Sequence, residues 1–311
     1  MSDKIESFLC QTFDEVRTET CLHDVPPHEV HEVIVDDTRA ILKFDTGPTG
    51  RAGIEGAVMA LLDERTSVPV PTILATDEDY YVARWHPDAP APDTDPTASE
   101  TWAGATGACL AQLHTETEGL IDQYGQFVPD DDRLIVDGHD RWQSAMIAYI
   151  TDRRPVLARF GHEDMADAAI ATLEAQTIDE SSIGPPVCCH GWATPEHVSV
   201  VDGSVACLID FEHTLAAPPA YDLWRTVIPA FAATGRQAEQ EAFFEGYQAV
   251  RSLPDDFRDA RPVFDILNLV YYFESLYVQE QYDRQGTERR ADGLRSALTD
   301  TLEALSESKQ D

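Results

Sequence analysis

The stretch CHGWATPEHVSVVDGSVACLIDFEH, Cys189 to His213, decides how this chain is read. It opens on a His190-Gly191 loop and runs into two short apolar segments, Val198–Val201 and Val205–Ile209. Between them sits Asp202-Gly203, a pair that tolerates positive φ and signals a tight hairpin. The second segment delivers Asp210 at its end, directly before Phe211 and Glu212. A carboxylate ending an apolar strand, with a second acid two residues on, offers hard oxygen ligands to magnesium. The plainer alternative is an aspartate that caps the next turn.

Upstream, lysine usage points to a second position. The chain holds only Lys4, Lys43 and Lys309, and its other basic residues are arginines. A lone lysine kept inside the body suits a task arginine does poorly, a compact point charge against phosphate oxygens. Alternating runs at Glu29–Val35 and Arg39–Phe44, around Asp36-Asp37-Thr38, predict a hairpin whose second strand carries Lys43 inward. Residues 51–62 have helical spacing and place Glu55 early, where it can pair with Lys43. Tyr80–Trp85 reads as another strand, and Ile5–Val16 as a short amphipathic helix.

The Pro- and Asp-rich stretch His86–Thr97 has no apolar period and reads as a linker. It sets a boundary between an N-terminal lobe, residues 1–85, and a C-terminal lobe, residues 86–311. Helical patterns follow at Thr101–His114, Arg141–Phe160 and Met165–Leu173, then at Ala220–Phe231, Ala238–Val250, Val263–Gln281 and Gly293–Leu305. The expected class is α+β, a small β-rich lobe followed by a larger, mainly helical one.

Composition narrows the function classes. In 311 residues, 57 Asp+Glu stand against 22 Lys+Arg, a formal net charge of −35. Such a field repels nucleic acid and anionic lipid, so neither is an expected partner. The acids are dispersed and 43% of residues are hydrophobic, which fits a folded, heavily solvated surface rather than disorder. We read this as adaptation to high salt, where screening lets a like-charged surface stay compact. The six cysteines form no C-x-x-C pair and read as reduced, mostly buried thiols. With no signal-peptide pattern and no membrane-length apolar run, the expected setting is cytoplasmic.

The order and spacing of Lys43, Glu55, His190 and Asp210 resemble the aminoglycoside phosphotransferase and choline kinase family of small-molecule kinases. The resemblance runs from about Val30 to Phe231. The family's loop usually reads HGDxxxxN, followed by DxE or DW. It implies a bilobal, protein kinase-like fold that moves the ATP γ-phosphate to a hydroxyl of a small acceptor. By this resemblance Lys43, fixed by Glu55, holds phosphates, and backbone groups of Val82, Ala83 and Arg84 meet the adenine edge. Asp210, Glu212 and His197, in the usual Asn position, would hold Mg²⁺, with His190 opening the catalytic loop.

Trp192 stands where the family's base aspartate belongs. Indole has no site to accept a proton, and its bulk takes the space of the acceptor hydroxyl. Glu196 and Glu212 are the nearby carboxylates able to substitute. Imidazole is also a poorer magnesium ligand than an oxygen donor, which weakens His197 in its place. Cys189, His190, His197 and His213 raise zinc as a further reading, although their spacing fits no familiar zinc pattern. Asp222 reads as a structural tie between loop and helix. Tyr271, Tyr272 and Phe273 read as a buried aromatic face, with Glu274 and Glu280 solvated. Two functions follow from the resemblance: a phosphotransferase impaired by Trp192, or a silent relative that binds nucleotide or a partner. A purely structural acidic protein leaves the order of Lys43, Glu55, His190 and Asp210 unexplained.

Overall fold

Apolar residues at every second position build the N-terminal part into one antiparallel sheet. Its strands are β1 (Val16–Val25), β2 (His28–Val35), β3 (Thr38–Asp45), β4 (Ile73–Asp77) and β5 (Tyr80–Arg84), in the order β1-β2-β3-β5-β4. This is a computed structural model, and it describes residues 9–91, 96–130, 133–176, 183–232, 235–253 and 257–307. The β2–β3 turn is Asp36-Asp37, both at positive φ (45° and 59°), the backbone of a two-residue hairpin that matches strand twist. On β3, Ala40, Leu42 and Phe44 join Val33, Val35, Tyr80 and Val82 in one apolar layer. Their neighbours Ile41 and Lys43 therefore face the other side, as the two-residue period requires.

That other side is covered by α1 (Ala52–Arg65), whose Val58, Met59 and Leu62 pack in one core with Tyr81 and Ala83. Gly53 and Gly56 let the helix come this close. A Cβ added at Gly56 would stand 2.5 Å from the Tyr81 Cβ, and one at Gly53 would stand 2.0 Å from the Asp77 carbonyl oxygen. The close approach seats Glu55, fully buried, beside Lys43.

The second part continues with α2 (Glu100–Thr117), the hairpin β6 (Tyr124–Asp130) and β7 (Arg133–His139), α3 (Trp142–Arg159) and α4 (Glu163–Ala175). Then come β8 (Val187–Cys189), β9 (Val198–Val201), β10 (Ser204–Leu208) and β11 (Leu215–Ala217). Four helices close the chain: α5 (Pro219–Ala230), α6 (Gln237–Gln248), α7 (Arg261–Val278) and α8 (Arg284–Glu307). Strands β7-β6-β11-β8 form one sheet, and β9 and β10 a separate hairpin with Asp202 and Gly203 at positive φ. Trp142, at the start of α3, centres an aromatic core with Tyr124, Tyr221 and Phe264.

The fold is the α+β arrangement expected, with local corrections. Residues 9–12 are helical, but Val16 begins β1, and residues 1–8 lie outside the described set. The β1 strand is an exposed sheet edge held by backbone pairing with β2, so burial leaves little pattern in its sequence. The β6–β7 hairpin carries no sequence expectation at all. Helix α8 starts at Arg284 rather than Gly293, because its first turns are polar and the apolar stripe begins only near Leu294. All six cysteines are free; four are buried, while Cys10 and Cys21 are exposed. No helix among the described residues is long and apolar enough to cross a membrane.

Candidate active site

Lys43 is the centre of a closed charge cluster. Its Nζ lies 2.7 Å from Glu55 Oε2, 2.7 Å from Asp210 Oδ1 and 3.2 Å from Glu212 Oε2, and it donates hydrogen bonds to the latter two. Burial alone would lower the lysine pKa, but Asp210, Glu55 and Glu212 outweigh it and raise it well above the ordinary value. For Asp210, burial opposes ionisation and Lys43 reverses the balance, so the carboxylate is held far below its usual range. The Tyr81 hydroxyl donates to Glu55 Oε1 at 3.0 Å and fixes that side chain from behind. Asp210 itself sits at φ +69°, a left-handed conformation that turns its side chain toward Lys43.

Histidines complete the cluster. His197 Nε2 lies 2.9 Å from Asp210 Oδ2, and its Nδ1 lies 3.1 Å from the Trp192 carbonyl oxygen. Burial would keep this ring neutral, yet Asp210 prevails and lifts its pKa to about 9. An imidazolium donating from both nitrogens has no lone pair for a metal, so in this arrangement His197 is a cation beside Asp210. His28, from the start of β2, reaches Asp45 Oδ1 at 2.9 Å and Glu212 Oε2 at 3.0 Å. His213 Nε2 meets Glu212 Oε1 at 2.9 Å. Every carboxylate oxygen of Asp210 and Glu212 thus has a nitrogen partner. Nothing in the sequence had marked His28. Its signal is a lone histidine directly after Pro26-Pro27, a turn without backbone donors of its own.

The loop before the hairpin is pinned by Asp222 on α5. This fully buried carboxylate accepts from His190 N at 2.8 Å, Gly191 N at 2.8 Å and His114 Nε2 at 3.0 Å. It performs the structural tie its position suggested. His190 donates Nε2–H to the Ile209 carbonyl at 2.8 Å and accepts Trp192 N–H on Nδ1 at 3.1 Å. Burial pushes its pKa down to about 4, so it is a neutral brace holding the loop against the strand that carries Asp210. Gly191, at φ +84°, has no room for a Cβ, which would lie 2.2 Å from the His213 carbonyl oxygen.

Trp192 is enclosed by aromatic rings and one cation. His213, Tyr271 and Tyr272 lie at ring-centroid distances of 5.9, 5.8 and 5.8 Å, and the Arg225 guanidinium lies 5.0 Å from the indole. Arg225 is itself buried, donates Nε–H to the Gly191 carbonyl at 2.9 Å and lies 3.8 Å from the Tyr271 ring centroid. It had no sequence expectation, although its place one turn after Asp222 in AYDLWR puts it on the same helix face.

A cavity of about 1090 Å³ opens over this cluster and is lined by Lys43, Glu55, Asp210, Glu212, His197 and Trp192. Ala83 and Arg84 also line it, but Val82 does not, because its side chain belongs to the opposite face of β5. The Arg84 N–H is spent on the Thr72 carbonyl and the Trp85 N–H on the Arg39 carbonyl. Glu196 is exposed on the wall, whereas Glu212 is fully engaged. The four residues weighed for zinc do not converge. Cys189 donates toward the Ala217 and Pro218 carbonyls, and burial raises its thiol pKa well above normal. Cys189 does lie with His114 and Asp222 in a compact buried group, but His114 and Asp222 are already hydrogen-bonded to one another. Of the α7 residues, Tyr271 and Tyr272 line the cavity and Phe273 is core, while Glu274 pairs with Arg153 at 2.9 Å instead of facing solvent. Glu280 is exposed.

The charge state of His28 has a measurable consequence. Burial opposes its protonation, but hydrogen bonds to Asp45 and Glu212 raise its pKa from 6.5 to about 9. A histidine raised on folding contributes stability that is full below its unfolded pKa and fades as pH climbs through its folded one. The parent is therefore expected to exceed His28→Gln by an extra 2–3 kcal/mol (roughly) at pH near 6 relative to pH above about 9.5. Denaturant unfolding of both proteins across that range checks this. A constant difference would mean His28 is neutral when folded.

A family model described as the phosphotransferase enzyme family matches residues 29–267. No curated protein matches the sequence. Among solved structures, the fold is similar to a putative fructosamine-3-kinase from Thermobifida fusca YX-ER1, at 16% identity and TM-score 0.63, covering 99% of this chain and 100% of that one. It is similar to a thermostable mutant of aminoglycoside phosphotransferase APH(4)-Ia in a ternary complex with ADP and hygromycin B, at 13% identity and TM-score 0.63, covering 96% and 98%. A putative aminoglycoside phosphotransferase from Ralstonia eutropha JMP134 gives 12% identity and TM-score 0.64, covering 96% and 97%.

Proposed function

The chain belongs to the phosphotransferase enzyme family, and on that premise we propose that it binds Mg·ATP beside a small hydroxyl-bearing molecule, with phosphoryl transfer between them impaired. The observation that carries the reading is Trp192. It stands in the base position, walled in by Arg225, Tyr271, Tyr272 and His213, with no carboxylate in its stead. Phosphoryl transfer rests on held phosphates and an aligned hydroxyl, and here the first provision is kept while the second is lost. Lys43 would take the phosphates, steadied by Glu55. Ala83 and Arg84 would border the adenine. The division at residues 85 and 86 belongs to the same proposal, supported by the end of β5 at Arg84 and the start of α2 only at Glu100.

Asp210 and Glu212 fit magnesium in kind, as two hard carboxylates on one wall. When bound, the ion would neutralise charge on the phosphates. Because His197 pairs with Asp210 through a cationic ring, we assign it as a counter-ion rather than a ligand. The fully partnered carboxylates favour a second reading, a protein that binds nucleotide without transferring its phosphate. A cytoplasmic, salt-rich setting is part of the proposal and rests on the acidic composition.

The test is calorimetric titration with Mg·ATP at molar salt. Lys43→Ala removes a charge-assisted contact, so affinity is expected to fall roughly tenfold or more. Circular dichroism must show that the variant folds, and Asp210→Asn gives a milder second probe. Unchanged binding in both variants would remove the nucleotide from this site.

A further inference from the structure

A second cavity, of about 80 Å³, lies where the N-terminal sheet meets the helical part, and two arginines line it. Arg51 immediately precedes α1, and Arg153 comes from α3. Arg51 donates one hydrogen bond, Nη2 to the Phe127 carbonyl at 2.8 Å, and has no carboxylate ion-pair partner among the described residues. In a chain with 57 Asp+Glu against 22 Lys+Arg, a sheltered guanidinium without an acid is unusual. Arg153 donates Nη1–H to the Tyr149 carbonyl at 3.0 Å. Its Nε stands 2.9 Å from Glu274 Oε2, but the N–H is not aligned and has no hydrogen-bond acceptor.

We propose that this cavity is a binding site for a small oxyanion of the phosphate class, held between Arg51 and Arg153. Arg153 has Glu274 at 2.9 Å, whereas Arg51 has no carboxylate at ion-pair distance among the described residues, and an anion between the two guanidinium groups would supply its counter-charge. Guanidinium groups match tetrahedral oxyanions with paired N–H donors, and Thr49 adds a hydroxyl to the wall. A water needs about 10–15 Å³ of such space, so the cavity has room for a larger guest. The acids on its wall are already engaged: Glu212 by His28, His213 and Lys43, and Glu274 by Arg153. Burial, with Arg153 adding to it, lowers the Arg51 pKa to about 10, against the opposing charge of Asp152. Because Arg51 belongs to the N-terminal part and Arg153 to the helical part, the bound anion would join the two. The proposal does not depend on the nucleotide reading.

The experiment is titration calorimetry of the full chain with inorganic phosphate against chloride at matched ionic strength, with thermal unfolding alongside. Phosphate is expected to bind saturably and raise Tm, and Arg51→Gln to weaken binding roughly tenfold or more. Should Arg51→Gln fail to fold, Arg153→Gln and Arg51→Lys are read the same way, each with weakened binding. Glucose 6-phosphate tests the source: tighter binding than phosphate assigns the anion to part of a larger ligand, and weaker binding to a free ion. Equal effects of phosphate and chloride, or survival of binding in the Arg51 and Arg153 variants, would each overturn the proposal.

Discussion

Trp192→Asp is expected to raise ATP turnover by about 10²–10⁴-fold, the usual contribution of a general base. The indole neither accepts a proton nor leaves room for a hydroxyl, and the substitution supplies a carboxylate while emptying the space between Tyr271 and Tyr272. Two neighbours shape the size of the gain. Arg225, now 5.0 Å from the indole centroid, would face the new carboxylate and keep it ionised, at some cost to its basicity. His197 still pairs with Asp210, so His197→Asn combined with Trp192→Asp should exceed the product of the single effects. The assay compares parent, single and double variants at matched salt and Mg²⁺, with a panel of hydroxyl acceptors. A parent already as fast as the variant would show that another group, Glu196 foremost, acts as the base. A double variant that binds ATP yet neither transfers nor hydrolyses it would establish the silent reading.

Asp222→Ala is expected to cost about 3–5 kcal/mol of stability, the range for breaking a buried charged hydrogen-bond set. The change strips acceptors from two backbone N–H groups, His190 and Gly191, and from His114, all of them buried. None of the three can reach water without opening the loop, so each lost bond carries its full desolvation penalty. Asp222→Asn should cost less, since one amide oxygen can still accept. Denaturant unfolding at fixed salt checks both values. A loss below about 1 kcal/mol for Asp222→Ala would mean the loop is held by something else, with the His190–Ile209 bond the first candidate.

How far the site was legible depended on how each residue announces itself. Lys43 stood out because lysine is scarce, and Glu55 because helical spacing placed it early on the next element. Asp210 ended a β-run after an unmistakable Asp-Gly turn. These are local signals, and in the fold Glu55 and Asp210 both meet Lys43. His28, Arg225 and Arg51 gave no comparable sign, because their roles come from partners far along the chain. His28 acts on Glu212, and Arg225 on Gly191. The same limit explains the strands. Hairpin β2–β3 declared itself through its buried alternation, whereas β1 has an exposed face and so no such code.

The contacts of Lys43 and His28 with Glu212 tie the sheet to the hairpin that follows the loop, and both cations are buried where they make them. Dissolved ions weaken attractions across open solvent over roughly 8–10 Å, but they reach enclosed pairs far less. The molecule therefore has two electrostatic regimes. Its outer acids respond to every change in the medium, while the half-sheltered junction of its two parts responds less. Brine can quiet the self-repulsion of the exterior without loosening the grip that keeps the cavity in shape.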